Sequence, residues 1–239
     1  MIGKGKSISH GVAALEYDLA KEINGQAVAT EIARHELYGC TGAEMVQEMK
    51  PYHIDFPNVK NNCLRFEVSP SIEESATFTD ADWAELGNDF MQRMGLANHQ
   101  YIIIRHSGTE SKKEQAHLHI LANRVSLSGE LYRDNWIGKK ATEAANAIAK
   151  ERNFVQSQDI GKVNKAEIKE AMDGVLKKMQ GFDFTKFKEE LGKRGFKVRE
   201  ARASTGKLNG YYVTARSGTE YKASAVSYTH LTLPTSDLV

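Results

Sequence analysis

Cysteine is scarce: Cys40 and Cys63 are the two in 239 residues. That is too few for a disulfide framework or a four-thiolate metal site, so both read as small buried hydrophobes. No apolar run approaches the roughly 18–20 residues that a helix needs to cross a bilayer, which excludes a membrane-spanning helical protein. The basic N-terminus lacks the apolar stretch of a secretory signal, so the chain is expected in the cytoplasm. Net charge is nearly absent at +1, but it is unevenly spread. Residues 1–150 hold 16 basic against 20 acidic side chains, and residues 151–225 hold 16 against 10. The second segment, at net +6, hints at a polyanionic partner, although lysine-rich helix faces are commonly just solvated.

What is present is an ordinary globular composition, 41% apolar and 26% charged, enough to bury a core in one large domain with a small module. Helical spacing is expected over 27–37, 43–49, 79–94, 141–151, 165–179 and 182–195, and alternation expects strands over 63–69, 100–106, 116–125, 196–202, 210–216 and 220–223. Residues 9–19 read as loop-like. The mixture lacks a strict βαβ rhythm, which points to an α+β fold with a central antiparallel sheet and helices mainly on one face. Residues 226–235, Val-Ser-Tyr-Thr-His-Leu-Thr-Leu-Pro-Thr, match one reading frame of a transposase sequencing adapter. The 226–239 tail is therefore expected to be an artefact, with the natural chain cut near Ala225.

The chemistry-bearing pattern is His117-Leu-His119. Two apart on a strand, both imidazoles project from one face about 7 Å apart along the backbone. His106 ends the preceding strand, and a hairpin would bring it over the same face as a third nitrogen ligand. Three imidazoles with open positions describe a catalytic rather than a closed structural metal site. Solvated strand histidines remain the plain alternative. Ile120 stands where a deubiquitinase-type metallopeptidase wants proline, and neither the metallo-β-lactamase nor the two-histidine phosphoesterase pattern is present.

Three stretches together resemble the relaxases, the His-hydrophobic-His mobilisation nucleases of plasmids and conjugative transposons, Bacteroides-type elements in particular. They are Gly3-Lys-Gly-Lys-Ser-Ile-Ser-His10 leading to Leu15-Glu-Tyr17, Leu64-Arg-Phe-Glu-Val-Ser-Pro70, and Ile104-Arg-His106 with His117-Leu-His-Ile-Leu-Ala-Asn-Arg124. The resemblance implies an RRM-like nuclease palm over 1–155, then a helical connector over 156–181. A small basic αβ module would follow over 182–225, where Thr205-Gly-Lys-Leu-Asn-Gly-Tyr211 and Tyr221-Lys-Ala-Ser224 lie. It implies a strand-specific DNA endonuclease acting on single-stranded DNA at an origin of transfer, with Tyr17 as nucleophile forming a 5'-phosphotyrosine. His106, His117 and His119 would hold a divalent metal, Mg or Mn, whereas imidazole ligands alone equally suit Zn, Co or Ni. Accessory mobilisation proteins and a coupling protein would be its partners.

Tyr38 and Tyr52 are alternative nucleophiles. Expected DNA contacts are Lys4, Lys6, Arg124, Lys193, Arg194, Lys197, Arg199 and Lys207, with a salt bridge as the other role for Arg124. Glu110 could assist His106, and Asp18 would set a negative charge where phosphate approaches. Two rival functions keep some of these features: a metal-containing DNA-binding or replication-accessory protein that does not nick, and a metal-dependent phosphoesterase.

Overall fold

The structure is a computed structural model and describes residues 1–108, 115–204, 206 and 208–226. Glu110, Lys207 and residues 227–239 lie outside the described residues. The chain divides into two compact units, Met1–Ser157 and Gln158–Val239. None of the described helices is long and apolar enough to cross a membrane.

The first unit runs β1 (Ile2–Ile8), α1 (Gly11–Leu19), β2 (Glu22–Ile23), β3 (Gln26–Ala27), β4 (Ala29–His35), α2 (Gly42–Met49), β5 (Cys63–Ser69), α3 (Ile72–Ser75), α4 (Asp80–Arg93), β6 (His99–His106), β7 (His117–Ser126) and α5 (Ile137–Glu151). Its sheet has the order β1-β5-β7-β6-β4, antiparallel throughout, as an α+β fold requires. Alternation divides β7 between two cores. Leu118, Ile120 and Ala122 pack with Trp83, Leu86 and Phe90 of α4 and the alanines of α5. Leu121 packs on the other face with Leu15 of α1 and Met45, Val46 and Met49 of α2. The two longest helices of the unit thus share one face, and two short ones cover part of the other.

Two stretches differ from expectation. Residues 27–37 do not form a helix; Ala29–His35 is strand β4, paired to β6 from Ala29↔His106 to His35↔Tyr101. β6 is β-branched and buried along Ile102–Ile104, so its open edge needs a partner, and pairing overrides a weak helical spacing. The N-terminal residues, for which no strand was expected, form one. Gly3 and Gly5 belong to edge strand β1 because α5 lies against it: a Cβ on Gly3 would sit 2.4 Å from the Ala141 carbonyl oxygen, and one on Gly5 would sit 2.8 Å from the Phe66 ring. Behind them 11–19 is helical, burying Gly11, Ala14, Leu15 and Asp18 at one-turn spacing. Cys63 is buried as expected, whereas Cys40 is exposed.

In the second unit α6 (Ser157–Leu176) and α7 (Phe184–Lys193) precede a three-stranded antiparallel sheet, β8 (Lys197–Arg202), β9 (Leu208–Thr214) and β10 (Glu220–Lys222), with α8 (Ala223–Val226) last. Ile168, Met172 and Val175 of α6 share a core with Phe187, Leu191, Phe196, Tyr211 and Val213. That helix is part of the module rather than a bare connector. Val226, expected as the first residue of the appended tail, is also in this core.

Candidate active site

The β6–β7 hairpin sets His106 directly opposite His117, and Ile104 opposite His119. Alternation then puts all three imidazoles on the face that holds Ile102, Ile104 and Leu121. One ligand nitrogen from each ring lies within 4.8 Å of the others. His106 and His117 are buried, and His119 is nearly so.

Partners on the far side of each ring orient the cluster. His106 Nε2 is 2.7 Å from the Asp18 carbonyl oxygen; a carbonyl can only accept, so Nε2 carries the proton and Nδ1 keeps a free lone pair. His117 Nδ1 donates to the Gln115 carbonyl at 3.1 Å, which frees Nε2. The His117 and His119 Nε2 atoms are 3.1 Å apart, about the spacing of two nitrogens bound at ~2.0–2.1 Å to one ion. His119 Nδ1 faces Arg65 Nη2 at 3.4 Å, with the Asp18 carboxylate that Arg65 grips 3.9 Å away. Carbonyl and carboxylate groups behind imidazoles are the usual supports of metal-binding histidines. The donor set therefore fits a divalent cation.

Burial also keeps protons off two of the rings, His106 and His119. It lowers the pKa of His106, with the neighbouring His117 acting the same way against the Asp18 hydrogen bond. His119 is pushed down to about 2, first by burial, then by the charges of His106, His117, Arg65 and Lys4.

Tyr17 is on α1, 57% exposed, and its hydroxyl accepts a hydrogen bond from Lys21 Nζ at 2.7 Å. The next residue, Asp18, is 1% exposed and points inward, where Arg65 Nε donates to Oδ2 at 3.0 Å. Asp18 does not face an approaching phosphate, as had been expected. The helical repeat that buries Ala14 and Leu15 also buries Asp18, and Arg65 neutralises it. Tyr38 is 76% exposed and hydrogen-bonds to Glu36 at 3.1 Å, which raises its pKa. Tyr52 is half-buried in the 3-10 turn Lys50–His53.

Lys4 and Lys6 alternate with the glycines of β1, so they project on the histidine face. With Arg65, Glu67 and His119 they line an open cleft of about 210 Å³. Lys4 is bonded to Glu67 at 2.9 Å, and Lys6 has no ion pair among the described residues. Arg124 is engaged by three protein acceptors: Tyr132 O at 3.1 Å, Asn61 O at 3.0 Å and Asp134 Oδ1 at 2.6 Å. In the second unit Lys193 pairs with Glu190 and Arg199 with Glu220. Arg194 donates to the Ala171 carbonyl at 3.3 Å, and Lys197 is exposed.

Sequence reasoning passed over Arg65, Lys21 and Gln115. The alternation of β5 could have placed Arg65 with Cys63 on the histidine face; nothing local marks the other two. Asn123 of the His117-to-Arg124 motif was given no role. It is fully buried, donates to Met49 O and Gln100 Oε1 at 3.3 and 3.0 Å, and bonds through Oδ1 to His53 Nε2 and the Val125 amide at 2.7 and 3.0 Å. It ties β7 to β6 and to the turn after α2.

Among curated proteins none matches the chain in sequence. Among solved structures it is similar to the conjugative relaxase TrwC in complex with OriT DNA. The metal-free structure gives a TM-score of 0.39 at 10% identity and the metal-bound structure 0.38 at 11%, each over 87% of this chain and 74% of that one. Residues 17–154 match the family model described as relaxase, MobA/VirD2-like, nuclease domain. That span contains the histidine hairpin, Asp18 and Arg65, and the chain belongs to that family.

Proposed function

We propose that this protein is a relaxase that nicks one DNA strand at an origin of transfer through Tyr17. In this reading Tyr17 Oη attacks the scissile phosphorus, an O–P bond to the tyrosine forms, and the bond from phosphorus to the 3' oxygen breaks. The leaving oxygen takes a proton to become a 3'-hydroxyl, and the 5' end stays on the protein as a phosphotyrosine, which conserves the ester for later resealing. The observation that carries the reading is the direct tie between α1 and the histidines. The residue after Tyr17 accepts a hydrogen bond from His106, so nucleophile and cluster belong to one rigid arrangement.

His106, His117 and His119 would hold a divalent cation, Mg or Mn by family resemblance, supplying Lewis-acid stabilisation of charge on the phosphate oxygens. Arg65 and Asp18 keep the rings and α1 in register. Lys21 sets a positive charge beside the attacking oxygen. Lys4 and Lys6 would position the strand through its phosphates, and the basic second unit, with Lys197 exposed, would add sequence-independent affinity. Accessory mobilisation proteins and a coupling protein fit this role as partners. The test is incubation of the protein with labelled single-stranded oligonucleotides spanning the element's transfer origin and manganese. A protein–DNA adduct that survives denaturation is expected; wild-type protein that binds the strand and never forms one is a non-nicking DNA-binding protein instead.

A further inference from the structure

The chain has two tryptophans, and they lie in opposite environments. Trp83 is 2% exposed in the core between the sheet and α4, whereas Trp136 is 81% exposed. Trp136 also has a left-handed backbone, φ 59° and ψ 27°, at the residue before α5. A bulky side chain in that region is strained, and such strain persists only where the surroundings enforce it. Here they do. Arg124 grips the Tyr132 carbonyl and the Asp134 carboxylate on one side of the bend. Lys140 Nζ holds the Arg133 carbonyl at 2.7 Å, and the Ile137 amide bonds to Asp134 O at 3.1 Å. A large apolar ring is thus held in solvent, on a backbone that glycine would occupy with less strain, and no ring or cation contact engages it among the described residues.

Its position beside the sheet says what it can meet. α5 runs along β1, and a Cβ on Gly138 would lie 3.5 Å from the Gly5 carbonyl oxygen. Two residues earlier, Trp136 therefore stands beside edge strand β1 on the α5 side of the sheet, while Lys4 and Lys6 project from the same strand to the histidine side. Arg133, exposed, has no ion pair among the described residues, and Lys139 is largely solvated. An exposed aromatic face flanked by cations at the β1 edge, across which a strand bound in the lysine-lined cleft would pass, has the makings of a stacking platform for an unpaired base.

We infer that Trp136 stacks on a base of the single strand where it leaves the histidine face over the edge strand β1, outside the reacting centre, and discriminates single-stranded from duplex DNA. The inference rests on the relaxase reading for its ligand but needs no chemistry at Tyr17. In a paired duplex every base face is already stacked, so Trp136 would find no partner there.

The test uses the full chain in EDTA, so that no cleavage occurs, with single-stranded oligodeoxythymidine and a duplex of equal length as probes. Since Trp83 is buried, quenching of tryptophan emission by a strand reports on Trp136. Single strand should quench and duplex should not. Trp136→Gly should lose the quench and bind the single strand about 5- to 150-fold more weakly, the range for one base–aromatic stack. Its melting temperature should hold or rise, because glycine relieves the left-handed strain; a merely structural tryptophan would instead lower it. Trp136→Phe should keep part of the affinity. Equal binding by Trp136→Gly, equal quenching by duplex, or a wild-type dimer in sedimentation that Trp136→Gly abolishes would each overturn the inference. Such results leave the relaxase reading standing if the adduct forms, whereas wild-type protein that binds no single strand removes both.

Discussion

His106 Nε2 donates to the backbone carbonyl of Asp18 at 2.7 Å, which fastens the last turn of α1 to the histidine hairpin. The same residue's carboxylate is buried and answered by Arg65. Main chain and side chain of Asp18 therefore hold two sides of one cluster, and Tyr17 is carried with them.

Arg65→Met should expose what this arrangement is worth. It keeps the side-chain volume but leaves the Asp18 carboxylate buried without its cation, a change that costs about 2–4 kcal/mol where one partner of a largely buried pair is removed. Because Asp18 also supports His106 and stands behind His119, metal affinity should fall about 10-fold or more. Urea denaturation and a metal titration followed by calorimetry read the two effects. Unchanged metal affinity would mean that the histidines hold their geometry without α1.

The metal-free protein should lose stability as pH falls from 7.5 to 5.5. In the unfolded chain a histidine titrates near pH ~6.5, but in the fold His119 is held down to about 2 and His106 is also lowered, both chiefly by burial. Between those values the unfolded state binds more protons, so stability is fully present above about pH 6.5 and is lost as pH drops through the window below it. For His119 the loss at pH 5.5 is about 1.4 kcal/mol, and His106 adds to it in the same direction. Denaturation midpoints across this range test it, and His119→Gln should flatten the slope. A wild-type midpoint that is flat from pH 7.5 to 5.5 would contradict the burial of these rings.

Gly3→Val should unseat α5 from β1. The new Cβ would meet backbone, the Ala141 carbonyl at 2.4 Å, with the Ala145 Cβ at 2.6 Å, and backbone cannot swing aside as a flexible side chain can. A destabilisation of about 2–3 kcal/mol is expected, in the range of overpacking a tight core. Gly25→Val, at a turn with no neighbouring atoms within 4 Å, would cost stability only through its positive φ. Thermal melts of the two variants separate close approach from conformational strain.

How much of this was legible beforehand depended on how strongly local chemistry agreed with tertiary structure. The β6–β7 hairpin was readable because Ile102–Ile104 is β-branched and His117-Leu-His119 alternates. α4 was readable from Thr79, whose capping box with Asp82 the structure contains. β1 was not, because its glycines are poor strand formers whose reason lies in α5, more than 130 residues away. β4 was misread on helical spacing although Asn24-Gly25, both at positive φ, is the signature of a tight hairpin and joins β2 to β3 just before it. At the site, the histidines announced themselves by period. The inward aim of Asp18 followed only once residues 11–19 were known to be helical.

Tyr17→Phe should reduce covalent attachment to single-stranded DNA to background, with strand and metal affinities within about twofold of wild type. Phenylalanine keeps the ring and removes the one atom able to attack phosphorus, so the loss belongs to chemistry rather than binding. Tyr38→Phe and Tyr52→Phe are the controls, and the structure gives them different standing. The Tyr38 hydroxyl lies against Glu36, which raises its pKa and opposes loss of its proton in attack. Tyr17 instead faces the Lys21 ammonium, which favours a developing negative charge on its oxygen, and it adjoins the residue bonded to His106. Tyr52 is half-buried in a turn tied to β7 through the His53–Asn123 bond. An adduct that persists in Tyr17→Phe and vanishes in one of the others would move the nucleophile and leave the histidine cluster where it is.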